Sequence, residues 1–242
     1  MFKLDSPFMN FLNKLCDIMI LNILVLVFSL PIFTIGAAVT AGYYMSFKMV
    51  KNEESYIVKG FWKAFKENFK QSTALWLIIL AVCGVLFADY RIVLYSGLSF
   101  DRWLRLGLLT VTLIIALGVS FVFALQARFT NTVKHTLKNA FLMALSHLPS
   151  AILFVVSYAV PVVLLYFIPQ IFPVIVLLAI GLLIYLKSFL FLKIFKKYED
   201  ALDMKKDEES DNESEDLGIF AGSERCQKIK TQKTEMRQNR FS

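Results

Sequence analysis

Four long segments of this chain contain no Asp, Glu, Lys or Arg. They cover residues 18–47, 71–88, 106–127 and 139–186. A helix needs about 20 apolar residues to cross the roughly 30 Å hydrocarbon core of a bilayer, and each segment approaches or exceeds that length. Because a backbone in hydrocarbon must satisfy its own hydrogen bonds, helices are the favoured structure for such segments. The chain is therefore predicted to be an all-α integral membrane protein.

The longest of these segments, residues 139–186, is too long for a single crossing. Its 48 residues would make a helix of about 72 Å, which is more than two hydrocarbon cores. Pro169 and Pro173 favour a turn between two spans, since proline lacks an N–H and clashes with the preceding helical turn. About five transmembrane helices are thus predicted, at residues 18–47, 73–95, 106–127, 150–168 and 171–191.

The composition excludes a single water-soluble domain. Hydrophobic residues make up 57% of the 242 residues, and the chain contains 23 Phe. Charged residues are sparse before residue 198 and crowded after it, where ten acidic residues between Glu199 and Asp216 are followed by a basic end. A segment of this composition cannot bury a core. Residues 198–242 are therefore predicted to be a disordered cytoplasmic tail that follows a membrane domain at 1–197.

The first uncharged segment admits three interpretations. Its 30 residues would make a helix of about 45 Å, and it contains Pro31 and Gly36. A long, tilted and kinked helix that crosses once is the first interpretation. A broken or re-entrant segment with both ends inside is the second, since irregular backbone is tolerated where protein buries it. A cleaved signal peptide, with a passable cleavage site at residues 39–41, is the third.

Lysine and arginine are distributed unequally between the two sides of the predicted bundle. Thirteen of them lie in the loops at 48–70 and 128–147 and at the end of the fifth helix, against five on the other side. Short loops rich in Lys and Arg are retained in the cytoplasm. These loops and the C-terminus are therefore predicted to be cytoplasmic, at the plasma membrane, and five crossings then place the N-terminus outside.

The connectors between spans 1 and 2 and between spans 3 and 4 are predicted to be amphipathic cytoplasmic helices. In the first, Phe61, Phe65 and Phe69 follow one another at i, i+4 spacing, while lysines take the other faces. Such a helix lies in the headgroup layer, with its aromatic side at the acyl boundary and its lysines on anionic lipid. A docking surface for a cytoplasmic partner is the alternative. The candidate residues of this surface are Lys59, Phe61, Trp62, Lys63, Phe65, Lys66, Phe69 and Lys70.

Proline, glycine and threonine interrupt the first apolar segment between residues 31 and 42. Small residues spaced by four let a neighbouring helix approach closely, and Thr34 can bond a carbonyl that Pro31 leaves free, which favours helix packing. The functional alternative is that the break opens backbone groups to a cavity and so lines a ligand site. The candidate ligand or packing residues are Asn22, Pro31, Thr34, Gly36, Thr40 and Gly42.

No motif for hydrolysis, phosphoryl transfer or dinucleotide binding occurs in the chain. The three cysteines lie far apart and the two histidines are isolated, so neither a metal site nor a cofactor is predicted. The basic residues border apolar segments, which argues against nucleic acid and for the membrane surface as a partner. No charge is expected within a span, which argues against ion-coupled transport. The protein is therefore predicted not to be an enzyme.

Short stretches between residues 11 and 71 give the chain a family resemblance. They read Phe11-Leu-Asn-Lys-Leu-Cys-Asp17, Leu21-Asn22, Leu30-Pro-Ile-Phe-Thr-Ile-Gly36, Tyr43-Tyr44, Lys48-Met-Val-Lys51 and Lys63-Ala-Phe-Lys-Glu-Asn-Phe-Lys-Gln71. Through them the chain resembles the YesL-type membrane proteins of Gram-positive bacteria, over about residues 5–195. The tail beyond residue 198 departs from the usual short end of that family.

The resemblance implies a multi-span plasma-membrane protein of unassigned biochemistry, whose relatives are often encoded beside carbohydrate ABC-transport and sugar-degradation systems. The first functional hypothesis is therefore a non-catalytic accessory or regulatory protein of a carbohydrate ABC uptake system. ABC transporter subunits and anionic lipid at the cytoplasmic face are its expected partners. The alternative is a small-solute facilitator or transporter with its pathway at the 31–42 break. No catalytic residue carries over from the family.

Overall fold

The computed structural model describes residues 7–53, 56–95, 102–129, 131–173, 175 and 177–198. These residues form helices and connecting turns, without a strand among them, which confirms the predicted all-α class. The chain divides into two units, Met1–Leu192 and Lys193–Ser242. The packing described below is that of the first unit. The predicted tail at 198–242 lies, apart from Tyr198, outside the described residues.

Eight α-helices follow one another in the described part of the chain. They are α1 (Pro7–Phe28), α2 (Ile35–Val50), α3 (Ile57–Tyr95), α4 (Arg102–Arg128), α5 (Val133–Ser146), α6 (Leu148–Ser157), α7 (Ala159–Phe167) and α8 (Leu177–Tyr198). Five segments are long and apolar enough to cross a membrane, as predicted: Phe11–Phe28, Ile57–Val93, Trp103–Arg128, Leu148–Phe167 and Leu177–Tyr198. The fourth consists of α6 and α7 together, and a 3-10 turn at Pro169–Ile171 follows it near the predicted turn.

The single kinked helix predicted over residues 18–47 is wrong. α1 ends at Phe28, a 3-10 turn occupies Ile32–Thr34, and α2 begins at Ile35. Pro31 has an extended backbone, with φ −75° and ψ 123°. Proline cannot donate the hydrogen bond that would continue α1. The Thr34 hydroxyl lies within hydrogen-bond distance of two carbonyl oxygens, 2.6 Å from that of Phe28 and 2.7 Å from that of Pro31. It therefore donates to carbonyls at the end of α1 and in the turn that follows it.

The two halves of this segment form an antiparallel hairpin. At its open end Lys14 Nζ donates a hydrogen bond of 2.9 Å to Asn52 Oδ1. In its middle Gly42 of α2 lies against Val25 of α1. Residues 14 and 52 therefore lie on the same side of the bundle, as in the broken-segment interpretation. The predicted external N-terminus depended on one crossing by this segment, and that premise does not hold.

α3 is one continuous helix of 39 residues, about 58 Å long. The separate headgroup-layer helix predicted at residues 59–72 is therefore wrong, because this stretch forms the first turns of the same helix. Its aromatic side faces protein instead of lipid: Phe61 and Phe65 are buried, with ring centroids 5.5 and 5.0 Å from that of Phe28. Phe61 and Phe65 thus contact the end of α1, whereas the prediction placed them against the acyl chains of the lipid.

The second connector has the predicted helix, α5, which packs closely on α4. Thr136, Ala140 and Met143 are buried along one side, while Lys134 is exposed on the other. Phe141 of α5 covers Gly118 of α4 so closely that an added Cβ would lie 2.7 Å from its ring. A larger residue at position 118 would require the Phe141 ring to move.

Aromatic side chains fill the space between α2, α4, α6 and α8. The ring of Phe191 lies edge-on to Tyr43 and Phe121, with centroids 5.7 and 5.1 Å apart. Its centroid is 4.3 Å from that of Phe154. Edge-to-face pairs of this kind add to the apolar burial that holds helices together. The cluster fixes α8 beside α6 and thereby positions Lys187, one helical turn before Phe191.

Candidate functional site

Two of the predicted residues in the 31–42 break, Gly36 and Thr40, face α3. An added Cβ at Gly36 would lie 2.5 Å from the Ser72 carbonyl oxygen and 2.7 Å from Trp76 Cβ. Thr40 Oγ1 accepts a hydrogen bond of 3.0 Å from Ser72 Oγ and donates one of 2.8 Å to the Gly36 carbonyl. These contacts are the ones that the helix-packing interpretation requires.

Two others, Asn22 and Gly42, face α8. Asn22 is fully buried, and its Oδ1 accepts a hydrogen bond of 2.8 Å from the backbone N–H of Gly181. An added Cβ at Gly42 would lie 3.0 Å from Val25 and 3.2 Å from Ile184. Asn22 and Gly42 therefore join the hairpin to the last helix of the first unit.

The remaining two, Pro31 and Thr34, form the turn of the hairpin. Pro31 is exposed and Thr34 is buried. The indole N–H of Trp76 donates a hydrogen bond of 2.7 Å to the carbonyl of Ile32, so α3 satisfies a backbone group that the turn leaves free. Four of the six predicted residues, Asn22, Gly36, Thr40 and Gly42, thus contact neighbouring helices on two faces of the hairpin. None of the six lines the apolar cavity described below.

That cavity has a volume of about 400 Å³ and is lined in part by Lys187, one of the lysines counted above at the end of the fifth predicted helix. Lys187 is only 4% exposed and lies in the middle of Leu177–Tyr198. The expectation that no charged residue lies within a span is therefore wrong. One signal pointed to it, since Lys187 is the one charged residue between positions 171 and 192.

The surroundings of Lys187 are apolar and aromatic. Its Nζ lies 3.1 Å from the centroid of the Tyr158 ring and 5.9 Å from that of Phe154. Within the described residues this Nζ has no hydrogen-bond partner. Tyr43 and Tyr158 line the same cavity. The remaining walls are aliphatic side chains and a proline: Leu26, Val39, Pro161, Ile175, Ala179, Ile180, Leu183 and Ile184.

A cluster of polar side chains that was not predicted from the sequence joins α3, α4 and α5. Gln126 is 3% exposed, and its Nε2 donates a hydrogen bond of 2.7 Å to Gln71 Oε1. Thr136 Oγ1 donates one of 3.1 Å to Gln126 Oε1. Gln126 is therefore the buried centre of a hydrogen-bond network that holds the connector helix α5 to the two long helices.

Replacing Gln126 with leucine is expected to lower the free energy of unfolding by about 1–3 kcal/mol, because Thr136 and Gln71 lose a buried partner. Denaturant-induced unfolding in detergent micelles measures the change. Thr110→Val is the control, since Thr110 is exposed and bonds only the carbonyl of its own helix in the described structure. Equal stability of the Gln126→Leu variant and the original protein would contradict the role of the network.

The lysines of the predicted docking surface form an exposed face on the first turns of α3. Lys59, Lys63, Lys66 and Lys70 are all exposed, which defines the lysine face. Lys63 Nζ is 3.9 Å from Glu67 Oε1, and Lys66 Nζ is 4.7 Å from the centroid of the Trp62 ring. Phe69 is half-buried. The predicted docking surface therefore combined two sets of residues. Its lysines are exposed together on one face of α3, whereas Phe61 and Phe65 are buried on another face.

An apolar groove borders the lysine face. It has a volume of about 390 Å³ and is lined by Leu24, Phe28, Val58, Lys59, Phe61 and Trp62. Trp62 is 43% exposed, so one large aromatic surface remains open beside the lysines. The combination offers both charge and an apolar contact to a partner.

Comparison with known proteins agrees with the resemblance seen in the sequence. Residues 18–90 match the family described as "Protein of unknown function, DUF624". The chain is 28% identical over 165 residues to the "Uncharacterized protein YesL" of Bacillus subtilis (strain 168), which covers 64% of this chain and 77% of that protein. No solved structure matches the chain. The match at 18–90 includes the lysine face and the hairpin from residue 18 onward, but not Lys187. The predicted resemblance is confirmed: the chain is similar to YesL and to the DUF624 family, and five of its helices are long and apolar enough to span a membrane.

Proposed function

We propose that this protein is a non-catalytic accessory or regulatory component of a carbohydrate ABC uptake system in the plasma membrane. The observation that carries the proposal is the lysine face of α3 with the apolar groove beside it. The choice of a carbohydrate system comes from the resemblance to the YesL-type proteins. Facilitated transport through the 31–42 break has less support, because Gly36 and Thr40 lie against α3.

The length of α3 supports a protein partner for part of the lysine face. The helix has 39 residues, and at about 58 Å it exceeds the hydrocarbon core by about 28 Å. The apolar end occupies the core, so the lysine-bearing end extends into and beyond the headgroups. Lys70 and Lys66 then lie nearest the anionic headgroups, where each contributes about 1 kcal/mol. Lys59 and Lys63 extend furthest and are available to a protein.

The partner that fits this surface has an acidic segment with an apolar anchor. Carboxylates would meet the lysines, and complementary charge at the rim of an interface mainly speeds association and selects the partner. An apolar side chain would enter the groove beside Trp62, since buried aromatic contacts supply most of the affinity of such interfaces. The cytoplasmic surface of an ABC permease subunit is the partner we propose.

The lysine face points to the cytoplasm in this proposal, and the hairpin brings the N-terminus to the same side. Placing Lys3 and Lys14 inside leaves Arg91, Arg102 and Arg105 as the basic residues of the outer side. The excess of inner Lys and Arg therefore becomes larger than in the five-crossing prediction. Both termini are cytoplasmic in this topology.

A double charge reversal tests the docking surface. Lys59→Glu with Lys63→Glu is expected to reduce the amount of ABC permease that co-purifies in mild detergent by about tenfold, because attraction becomes repulsion at the rim. Quantitative mass spectrometry of the purified complex measures this amount. The matched control is Lys134→Glu with Lys138→Glu, which makes the same change of charge on exposed positions of α5. Unchanged recovery in the first variant, or no permease with the original protein, would contradict the proposal.

A further inference from the structure

We propose that the cavity beside Lys187 binds an anionic amphiphile, whose carboxylate or phosphate head lies at Lys187 while its hydrocarbon body fills the apolar part. This inference does not depend on the docking surface of α3, since the two sites share no residue. It assigns a ligand class to a cavity whose lysine lies outside the family match at residues 18–90.

The Lys187 amino group is a buried hydrogen-bond donor without a partner among the described residues. A lysine amino group can donate three hydrogen bonds, yet within the described residues Lys187 Nζ, in a side chain only 4% exposed, meets no acceptor. The Tyr158 ring, with its centroid 3.1 Å away, offers a π face on one side and no lone pair for the N–H groups. Ionisable groups inside membrane spans are costly and are found where they serve a ligand or a pathway.

The described walls of the cavity carry a positive group but no negative one. Among the described residues no carboxylate lines the cavity, and the other titratable side chains that line it are Tyr43 and Tyr158. The Lys187 amino group thus lies in the cavity without a matching Asp or Glu side chain among the described residues. A carboxylate or phosphate from outside would supply both the negative charge and the lone pairs.

The volume and the aliphatic walls of the cavity limit which ligands fit. Sugars carry hydroxyls on all sides, and each hydroxyl buried without a partner costs about 1–3 kcal/mol, so aliphatic walls exclude them. A volume of about 400 Å³ lies at the small end of ligand pockets, which are roughly 300–1,000 Å³. A single hydrocarbon chain fits this space better than a two-chain lipid. A long-chain fatty acid and a lysophospholipid are the two sources of such a ligand.

The experiment measures thermal unfolding of the full-length protein in a non-ionic detergent with added probes. Oleate, or the phosphate-headed lysophosphatidate, is expected to raise the unfolding temperature by several degrees, through binding to the folded state. A larger shift with oleate identifies a carboxylate head, and a larger shift with lysophosphatidate identifies a phosphate head. Methyl oleate and inorganic phosphate, which each lack one half of the ligand, are expected to leave the temperature unchanged. A shift with methyl oleate equal to that with oleate would overturn the proposal.

Two variants separate binding from folding. Lys187→Met is expected to weaken binding by about tenfold or more, because the charged partner of the head is lost. Without ligand the same variant is expected to unfold at an equal or higher temperature, since a buried amino group without an acceptor is removed. Lys193→Met, at an exposed position of the same helix, is the control that keeps binding.

Should Lys187→Met fail to fold, Ala179→Phe fills the cavity from its wall without altering the lysine. It is expected to abolish the shift with both amphiphiles. Binding of oleate to Lys187→Met or to Ala179→Phe with the affinity of the original protein would show that the cavity is not the site.

Discussion

Gly36→Ala is expected to lower the free energy of unfolding by about 2–3 kcal/mol, whereas Gly84→Ala is expected to leave it unchanged or to raise it slightly. At Gly36 the new Cβ would lie 2.5 Å from a backbone oxygen of α3 and 2.7 Å from Trp76 Cβ, so α2 and α3 must move apart. Overpacking of this kind costs about 1–3 kcal/mol in well-packed interiors. At Gly84 no atom lies within 4 Å of the added Cβ, and alanine favours the helix by about 0.5–1 kcal/mol.

Unfolding of the two variants in detergent micelles, followed by circular dichroism and denaturant titration, compares them directly. Both replace one glycine within a helix by alanine, so the difference between them isolates the contact between α2 and α3. The movement of α2 should also break the hydrogen bond between Ser72 and Thr40. Equal stability of the two variants would show that the hairpin does not pack against α3 as described.

A cysteine at position 3 is expected to react with a membrane-impermeant maleimide only after the cells are permeabilised. The reason is the hairpin: Lys14 and Asn52 lie at the same end of the bundle, so we expect the chain that precedes α1 to share a side with the lysine face. A single crossing by residues 18–47 would instead expose position 3 to the outside. The outcome is all-or-none and distinguishes the two topologies.

Labelling uses a variant in which Cys16, Cys83 and Cys226 are replaced by serine. Lys63→Cys is the control for the inner side and Trp103→Cys, which is 82% exposed at the start of α4, is the control for the outer side. The Lys3→Cys variant should behave as the Lys63→Cys variant does. Labelling of Lys3→Cys in intact cells, together with Trp103→Cys, would contradict the cytoplasmic N-terminus.

The long uncharged segments predicted the membrane helices because the length of an apolar segment can be read directly from the sequence. A span needs enough consecutive apolar residues, and this can be counted along the chain. The break at Pro31 was also visible, since proline interrupts a helix wherever it stands beyond the first turn. Whether the chain continues across the membrane or returns after the break depends on what packs beside it. Here Gly36 and Gly42 let α2 return between α3 and α1.

The aromatic side of residues 57–72 was predicted correctly as an apolar face but assigned to lipid. A helical period of phenylalanines says that one face avoids water, and both acyl chains and protein side chains satisfy that condition. Phe28 of α1 supplies the protein partner for Phe61 and Phe65. This contact joins residues more than thirty positions apart, and neither local pattern predicts the other.

The sequence by itself determined that the chain is all-α, where its apolar segments lie, and which side of α3 carries the lysines. Each of these follows from the order of apolar and charged residues along one segment. The tertiary structure alone decided that the first segment is a hairpin, that Gln126 joins three helices, and that Lys187 is enclosed beside Tyr43 and Tyr158. The physical reason is that burial and hydrogen bonding depend on neighbours from distant segments, and hydropathy counted along the chain carries no information about those neighbours.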